Sequence, residues 1–195
     1  DENAGEKEKW YQEFKGDKKI NVPFTYETKL SGIQDETRHD FIWYHRTISV
    51  DGEKLENNRY ILHFEGSDFI TKVWVTGAYA GSHRGGYARC SFDVTNLVHD
   101  GENELTVKVE DSFDTQQPRG KQRWINENFG CWYVQTTGIW KTVWSEYVPK
   151  ISLASVKMTP DLQNAALKLE YEVAAAEKDL DDDLMITATV SFRGT

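Results

Sequence analysis

The residues best suited to chemistry gather between Asp111 and Gly138. Asp111, Asp114, Gln116, Gln117, Arg119, Lys121, Gln122, Arg123, Asn126, Glu127 and Asn128 are interspersed there with Trp124, Phe129, Trp132 and Tyr133. Carboxylates, amides and guanidinium groups hydrogen-bond hydroxyls, while aromatic rings stack on the apolar faces of pyranoses. The first half of the segment has no strand pattern, and a connection this long in a compact fold is either functional or disordered. A sugar-facing surface and a loop packed on a neighbouring domain both fit, and they are compatible.

Other candidates have plainer readings. His83 and Arg84, beside Gly85-Gly86, could meet an anion, but a hairpin and a solvated loop account for them. Asp93 has no second carboxylate at metal-ligand spacing and reads as a turn cap with Thr95. The run Asp179 to Asp183 lacks the spacing and glycine of a calcium loop and reads as a solvated turn. Acid/base hydrolysis of a glycoside needs two carboxylates at a set separation. With 32 Asp and Glu, some pair meets that by chance, and no catalytic pair is legible. There is no phosphate loop or nucleophile motif, and no cofactor or metal is expected.

The elements that must position these groups are strands. Tyr60, Leu62 and Phe64 share a face of Arg59 to Phe64, and Leu105, Val107 and Val109 share a face of Leu105 to Glu110. Such period-2 alternation marks half-buried strands. Trp43 to Val50, Ile70 to Val75 and Trp140 to Val148 read the same way. Turn signals at Asp51-Gly52, Glu65-Gly66, Gly85-Gly86 and Asp100-Gly101 separate them. A short helix is expected within Glu6 to Phe14. After Pro149 the pattern resets into three further strands, Ile151 to Met158, Ala166 to Val173 and Leu184 to Phe192. A domain boundary is therefore placed at 148/149, and the fold class is all-β, an antiparallel sandwich.

Charge and composition narrow the partners. The net charge of −9 disfavours nucleic acid, whose phosphates require a basic surface. No apolar run approaches about 18 residues, so no membrane span is expected. Cys90 and Cys131 fit two free thiols better than one bridge, which leans weakly towards a reducing, cytoplasmic compartment.

Several segments together resemble the N-terminal, sugar-binding-type domain of glycoside hydrolase family 2, which includes β-galactosidases and β-glucuronidases. They begin with Ile20-Asn21-Val22-Pro23-Phe24 and Trp43-Tyr44-His45-Arg46-Thr47-Ile48. Leu62 to Asp68 and Val73-Trp74-Val75-Thr76-Gly77 follow, then Gly81 to Tyr87, Phe92 to Thr95 and Gly101 to Leu105. Pro118 to Gln122 and Thr136 to Trp144 close the series. Thr76 replaces the usual turn Asn, and His45 an Arg. Single motifs are weak; their order from 20 to 148 is specific.

The resemblance implies a jelly-roll sandwich similar to galactose-binding domains over residues 1–148. The opening of an immunoglobulin-like sandwich would then occupy 149–195. It also implies a retaining glycosidase whose two catalytic glutamates sit on a (β/α)₈ barrel of about 250 residues, for which this sequence has no counterpart. Partners are then a carbohydrate, the chain's own catalytic barrel and a homo-oligomer contact. In some family members a loop of this domain reaches the barrel's active site. Asp111 to Trp132 is the matching segment, with Asp114, Arg119, Lys121, Gln122 and Trp124 as the substrate-binding candidates. A free-standing carbohydrate-binding module and a purely structural domain are the alternatives. The purified chain is expected not to hydrolyse nitrophenyl β-galactoside, β-glucuronide or β-mannoside. Turnover abolished by one carboxylate substitution within it would overturn that expectation.

Overall fold

The computed structural model describes residues 4–113, 116–175 and 184–191. The chain divides into two compact units, residues 1–147 and 148–195. In the first, a short helix α1 (Ala4–Lys7) precedes β1 (Phe41–Val50). A second helix, α2 (Gly52–Asn57), leads into β2 (Asn58–Phe64). Then follow β3 (Ser67–Asp68), β4 (Ile70–Val75), β5 (Ala78–Arg84), β6 (Cys90–Asp93), β7 (Gly101–Glu110), β8 (Gly138–Ile139) and β9 (Val143–Pro149).

The strands form an antiparallel sandwich of the jelly-roll class. One sheet has the order β1-β7-β4-β5, the other β6-β2-β9, and β3 pairs with β8 between the loops. The register places apolar side chains opposite one another: Tyr44 and Val73 both flank Val107, and Val75 flanks Leu105. The opposing sheet contributes Tyr60, Leu62, Phe64 and Phe92, and these side chains form one buried cluster. Burying each such side chain is worth about 1.5–3 kcal/mol, which is why period 2 dictates this layer.

The outer face of the four-stranded sheet is not left to water. Residues 4–14 lie across it: Trp10 meets Trp43 edge-on at 5.8 Å, and Tyr11 stacks on Trp74 at 5.2 Å. Phe14 stacks on His45 at 4.9 Å. The helix expected within Glu6 to Phe14 forms earlier, over Ala4–Lys7, and residues 8–12 are turns. The Asp51-Gly52 turn signal proves to be a helix start, with the Asp51 carboxylate accepting from the Lys54 N–H. Asp93 caps as expected, its carboxylate accepting from the Thr95 N–H and hydroxyl.

In the second unit, β10 (Ser152–Asp161) pairs with β11 (Ala166–Ala174) as an antiparallel hairpin. Leu167, Leu169 and Tyr171 stand opposite Pro160, Met158 and Val156, an apolar face of the kind that opens an immunoglobulin-like sandwich. The expected third strand, Leu184 to Phe192, is not formed over 184–191, and Phe192 lies outside the described residues. Alternation makes a segment able to pair, but a strand also needs a ladder partner, and residues 184–191 have none among the described residues. The run Asp179 to Asp183 likewise lies outside the described residues.

The β4–β5 connection is a two-residue turn with Thr76 at φ 48° and Gly77 at φ 79°. Both central residues of this mirror-image turn need positive φ, which suits Asn-Gly and strains a β-branched residue. Thr76→Asn is therefore expected to stabilise the chain by about 0.5–1 kcal/mol. Thermal unfolding should shift up by roughly 1–4 °C. An unchanged or lowered midpoint would mean that Thr76 is held there by contacts worth more than the strain.

Candidate functional site

The long segment after β7 is built on buried polar contacts. Asp111 starts it, taken out of water at the end of β7. Its carboxylate accepts from the Ser112 N–H at 2.8 Å, from the Thr137 hydroxyl at 3.1 Å and from the Gln117 amide. The Arg119 guanidinium approaches it at 4.0 Å. A buried charge is tolerated only with such partners. The contacts therefore tie the start of the loop to Thr137 at its end.

Three further anchors follow. The Gln122 side chain donates to Asp68 on β3 at 2.9 Å, and its carbonyl accepts from the Thr136 N–H at 2.8 Å. Arg123, also buried, donates to Gln135 at 2.8 Å, to Asn128 at 3.1 Å and to the Glu36 carbonyl at 3.2 Å. Glu27 accepts from the Thr137 N–H at 3.0 Å. Backbone bonds pair Arg123 N–H with Tyr133 O and Tyr133 N–H with Lys121 O. The segment is thus stitched to residues 27–36 and to β3.

Gly138, at φ 107°, lets the chain re-enter the sandwich. A Cβ there would overlap the Tyr44 hydroxyl, which itself accepts from the Ile139 N–H. Gly86 serves the same end on the other side, since a Cβ would overlap Asp68. Its carbonyl accepts from the Trp140 indole at 2.7 Å.

The apolar part of the segment packs on itself. Trp124 meets Phe129 and Trp132 edge-on, each at 5.0 Å, and Phe129 stacks on Trp132 at 5.2 Å. Trp124, Ile125 and Tyr133 remain exposed.

The structure therefore separates the residues singled out in the sequence. Lys121 and Trp124 point to solvent. Arg119 is buried beside Asp111, and both ends of the Gln122 amide are engaged inside the loop. Asp114 lies outside the described residues. Sequence reasoning missed Asp68, Glu27 and Gln135. Asp68 was visible only as the end of a strand motif, and nothing in the sequence marks it as facing Gln122. Among the described residues no cluster of His, Cys, Asp and Glu could hold a metal ion, and no helix is long and apolar enough to cross a membrane. Cys90 and Cys131 are free thiols.

Electrostatics follow from burial. Desolvation raises Asp68 to about 6, offset by the Gln122 bond and reinforced by neighbouring Asp111. Desolvation likewise raises Asp111, against Arg119 and the Thr137 and Gln117 bonds, and raises Glu27. One oxygen each of Asp68 and Glu27 has no hydrogen-bond partner among the described residues.

Comparison with known proteins places this geometry. The model of the glycosyl hydrolases family 2 sugar binding domain matches residues 7–148. A putative β-glucuronidase of Formosa agariphila is 32% identical over 143 residues, 72% of this chain and 16% of that protein. A β-galactosidase of Thermoanaerobacter pseudethanolicus is 26% identical over 179 residues, 90% of this chain and 23% of that protein. Among solved structures, Bifidobacterium dentium β-glucuronidase complexed with coumarin-3-O-glucuronide superposes with a TM-score of 0.71 at 19% identity. That match covers 86% of this chain and 32% of the enzyme. The chain thus spans less than a third of the length of the relatives just described.

The raised carboxylates set a pH dependence. A group whose folded pKa lies above its unfolded value binds protons more tightly when folded. The native state therefore gains stability as pH falls through the folded value and loses it as pH rises. For Asp68 the window lies between about 4 and 6. Carboxylates that are instead lowered, such as Glu6 and Asp51, act below it. Asp68→Asn, which keeps an acceptor for Gln122, is expected to raise stability at pH 7.5 by on the order of 1–2 kcal/mol. The gain should shrink to about a third by pH 4.5 and vanish only below about pH 3.5. Urea titrations at the two pH values measure it, and equal effects at both would show that Asp68 is not desolvated in solution.

Proposed function

This chain belongs to glycoside hydrolase family 2 through its sugar-binding domain, and from that premise we propose that it forms a non-catalytic wall of a glycosidase active site. The catalytic acid/base and nucleophile then belong to a barrel of the intact enzyme. The reaction is retaining hydrolysis of a β-glycoside. A β-galactoside is the first candidate substrate and a β-glucuronide the second. The observation that carries this reading is the loop of residues 111–137. It is anchored at both ends by buried polar contacts, yet turns Lys121 and Trp124 outward.

The roles of the candidates divide accordingly. Lys121 and Trp124, with Asp114, contact the sugar or its leaving group, by hydrogen bonds to hydroxyls and by stacking on an apolar sugar face. Arg119 and Gln122 position the loop through Asp111 and Asp68. A preorganised loop of this kind matters because a small misplacement of a binding group is costly in rate.

The test is kinetic, in the intact enzyme with its barrel. Lys121→Ala, Trp124→Ala and Asp114→Ala are each expected to raise KM or lower kcat by roughly tenfold, about 1.4 kcal/mol. Arg119→Ala should reduce both activity and thermal stability. Wild-type kinetics in all three contact variants would reduce the loop to packing material.

A further inference from the structure

The outer face of the four-stranded sheet carries a second concave site, far in sequence from the 111–137 loop. Cross-strand register sets Lys72 opposite Lys108, and Trp74 opposite Thr106 on one side and Tyr79 on the other. Two ammonium groups side by side repel. The arrangement stands because Glu6, from α1, accepts from both at 2.8 Å, while Glu110 lies 3.6 Å from Lys108. Tyr11 lies flat on Trp74, with 7° between the ring planes, and Tyr79 stands at 57° to Trp74 with centroids 5.6 Å apart.

Glu6, Tyr11, Lys72, Trp74 and Tyr79 together line an open depression of about 290 Å³. We propose that this depression binds one neutral pyranose unit of a β-linked saccharide. A single exposed ring would be unremarkable. Here Tyr79 is 54% exposed and stands at an angle to the Tyr11–Trp74 stack, so the rings form two walls. Aromatic faces carry partial negative charge and attract the polarised C–H groups of a sugar's apolar face. The Glu6 carboxylate and the Lys72 ammonium, each about a third exposed, offer an acceptor and a donor to the equatorial hydroxyls. Their charges, with those of Lys108 and Glu110, cancel. The site therefore has no net positive charge to recruit a uronate, and a neutral sugar is the occupant it fits. Lys72, Trp74 and Tyr79 of the lining come from the sheet, and Glu6 and Tyr11 from residues 4–14, so the site exists only when that segment is docked.

The experiment uses the full chain and saturation-transfer NMR with methyl β-D-galactopyranoside, cellobiose and methyl β-D-glucopyranosiduronic acid. Saturation should transfer to the neutral sugars more strongly than to the uronoside. Tyr79→Ala should weaken their binding roughly tenfold or more, while Tyr79→Phe, which keeps the ring, should retain it. If Tyr79→Ala fails to fold by circular dichroism, Tyr79→Ser at the same exposed position takes its place. Three results would overturn the proposal. They are no transfer to either neutral sugar, preference for the uronoside, and full binding without the Tyr79 ring.

Discussion

The geometry of the loop depends on one carboxylate. Asp111 follows β7 directly inside the protein, where an unpaired charge would be expelled or neutralised. Its oxygens are instead filled by Ser112, Gln117 and Thr137, with Arg119 nearby. Those partners come from the start, the middle and the far end of the segment. Satisfying one buried anion thus closes a loop of more than two dozen residues whose described part holds no helix or named strand. The other anchors, Gln122 on Asp68 and Arg123 on Gln135, repeat the same physics: polar groups removed from water must find each other. Lys121 and part of Trp124 stay exposed, and these are the groups to which the proposed function assigns ligand contact.

A parallel constraint shapes the opposite face. Lys108 sits mid-sheet with its side chain 2% exposed, and Lys72 is its cross-strand neighbour. Glu6 resolves the pair and pins the N-terminal segment, whose rings then shield Trp43 and Trp74. Both faces of the four-stranded sheet are therefore covered, one by the second sheet and one by residues 4–14. This explains why β7 is buried almost throughout although its sequence alternates.

The same arrangement carries a cost in stability. Asp68, Asp111 and Glu27 are all held at a cost in desolvation, and all three border the loop. A domain selected only for stability would place apolar groups there. Retaining carboxylates under the loop fixes one conformation of a polar segment whose described residues make only isolated bridges, Gln122 with Tyr133 and Phe129 with Trp132.

The period-2 runs in the sequence determine the strands of the sandwich, because each buries one apolar face whatever its neighbours are. Ile70 to Val75 is recovered to the residue, and Tyr60, Leu62, Phe64, Leu105, Val107 and Val109 all lie in the core. The glycines at 77 and 138 mark positions where only a residue without a side chain, or one tolerant of positive φ, allows the turn. The loop was legible as long, polar and aromatic, but not which of its groups face inward. Arg119 and Lys121 are two residues apart and both basic, yet one is buried and the other exposed. The alternation of Leu184 to Phe192 misled for a related reason: pairing needs an edge, which no local pattern supplies. Strand formation follows from residues near in sequence, whereas the partners of Asp68, Glu27 and Glu6 lie 54, 110, and 66 and 102 positions away. Only the folded chain brings those charges within hydrogen-bond reach, so only tertiary structure decided which polar groups hold the loop and which remain exposed.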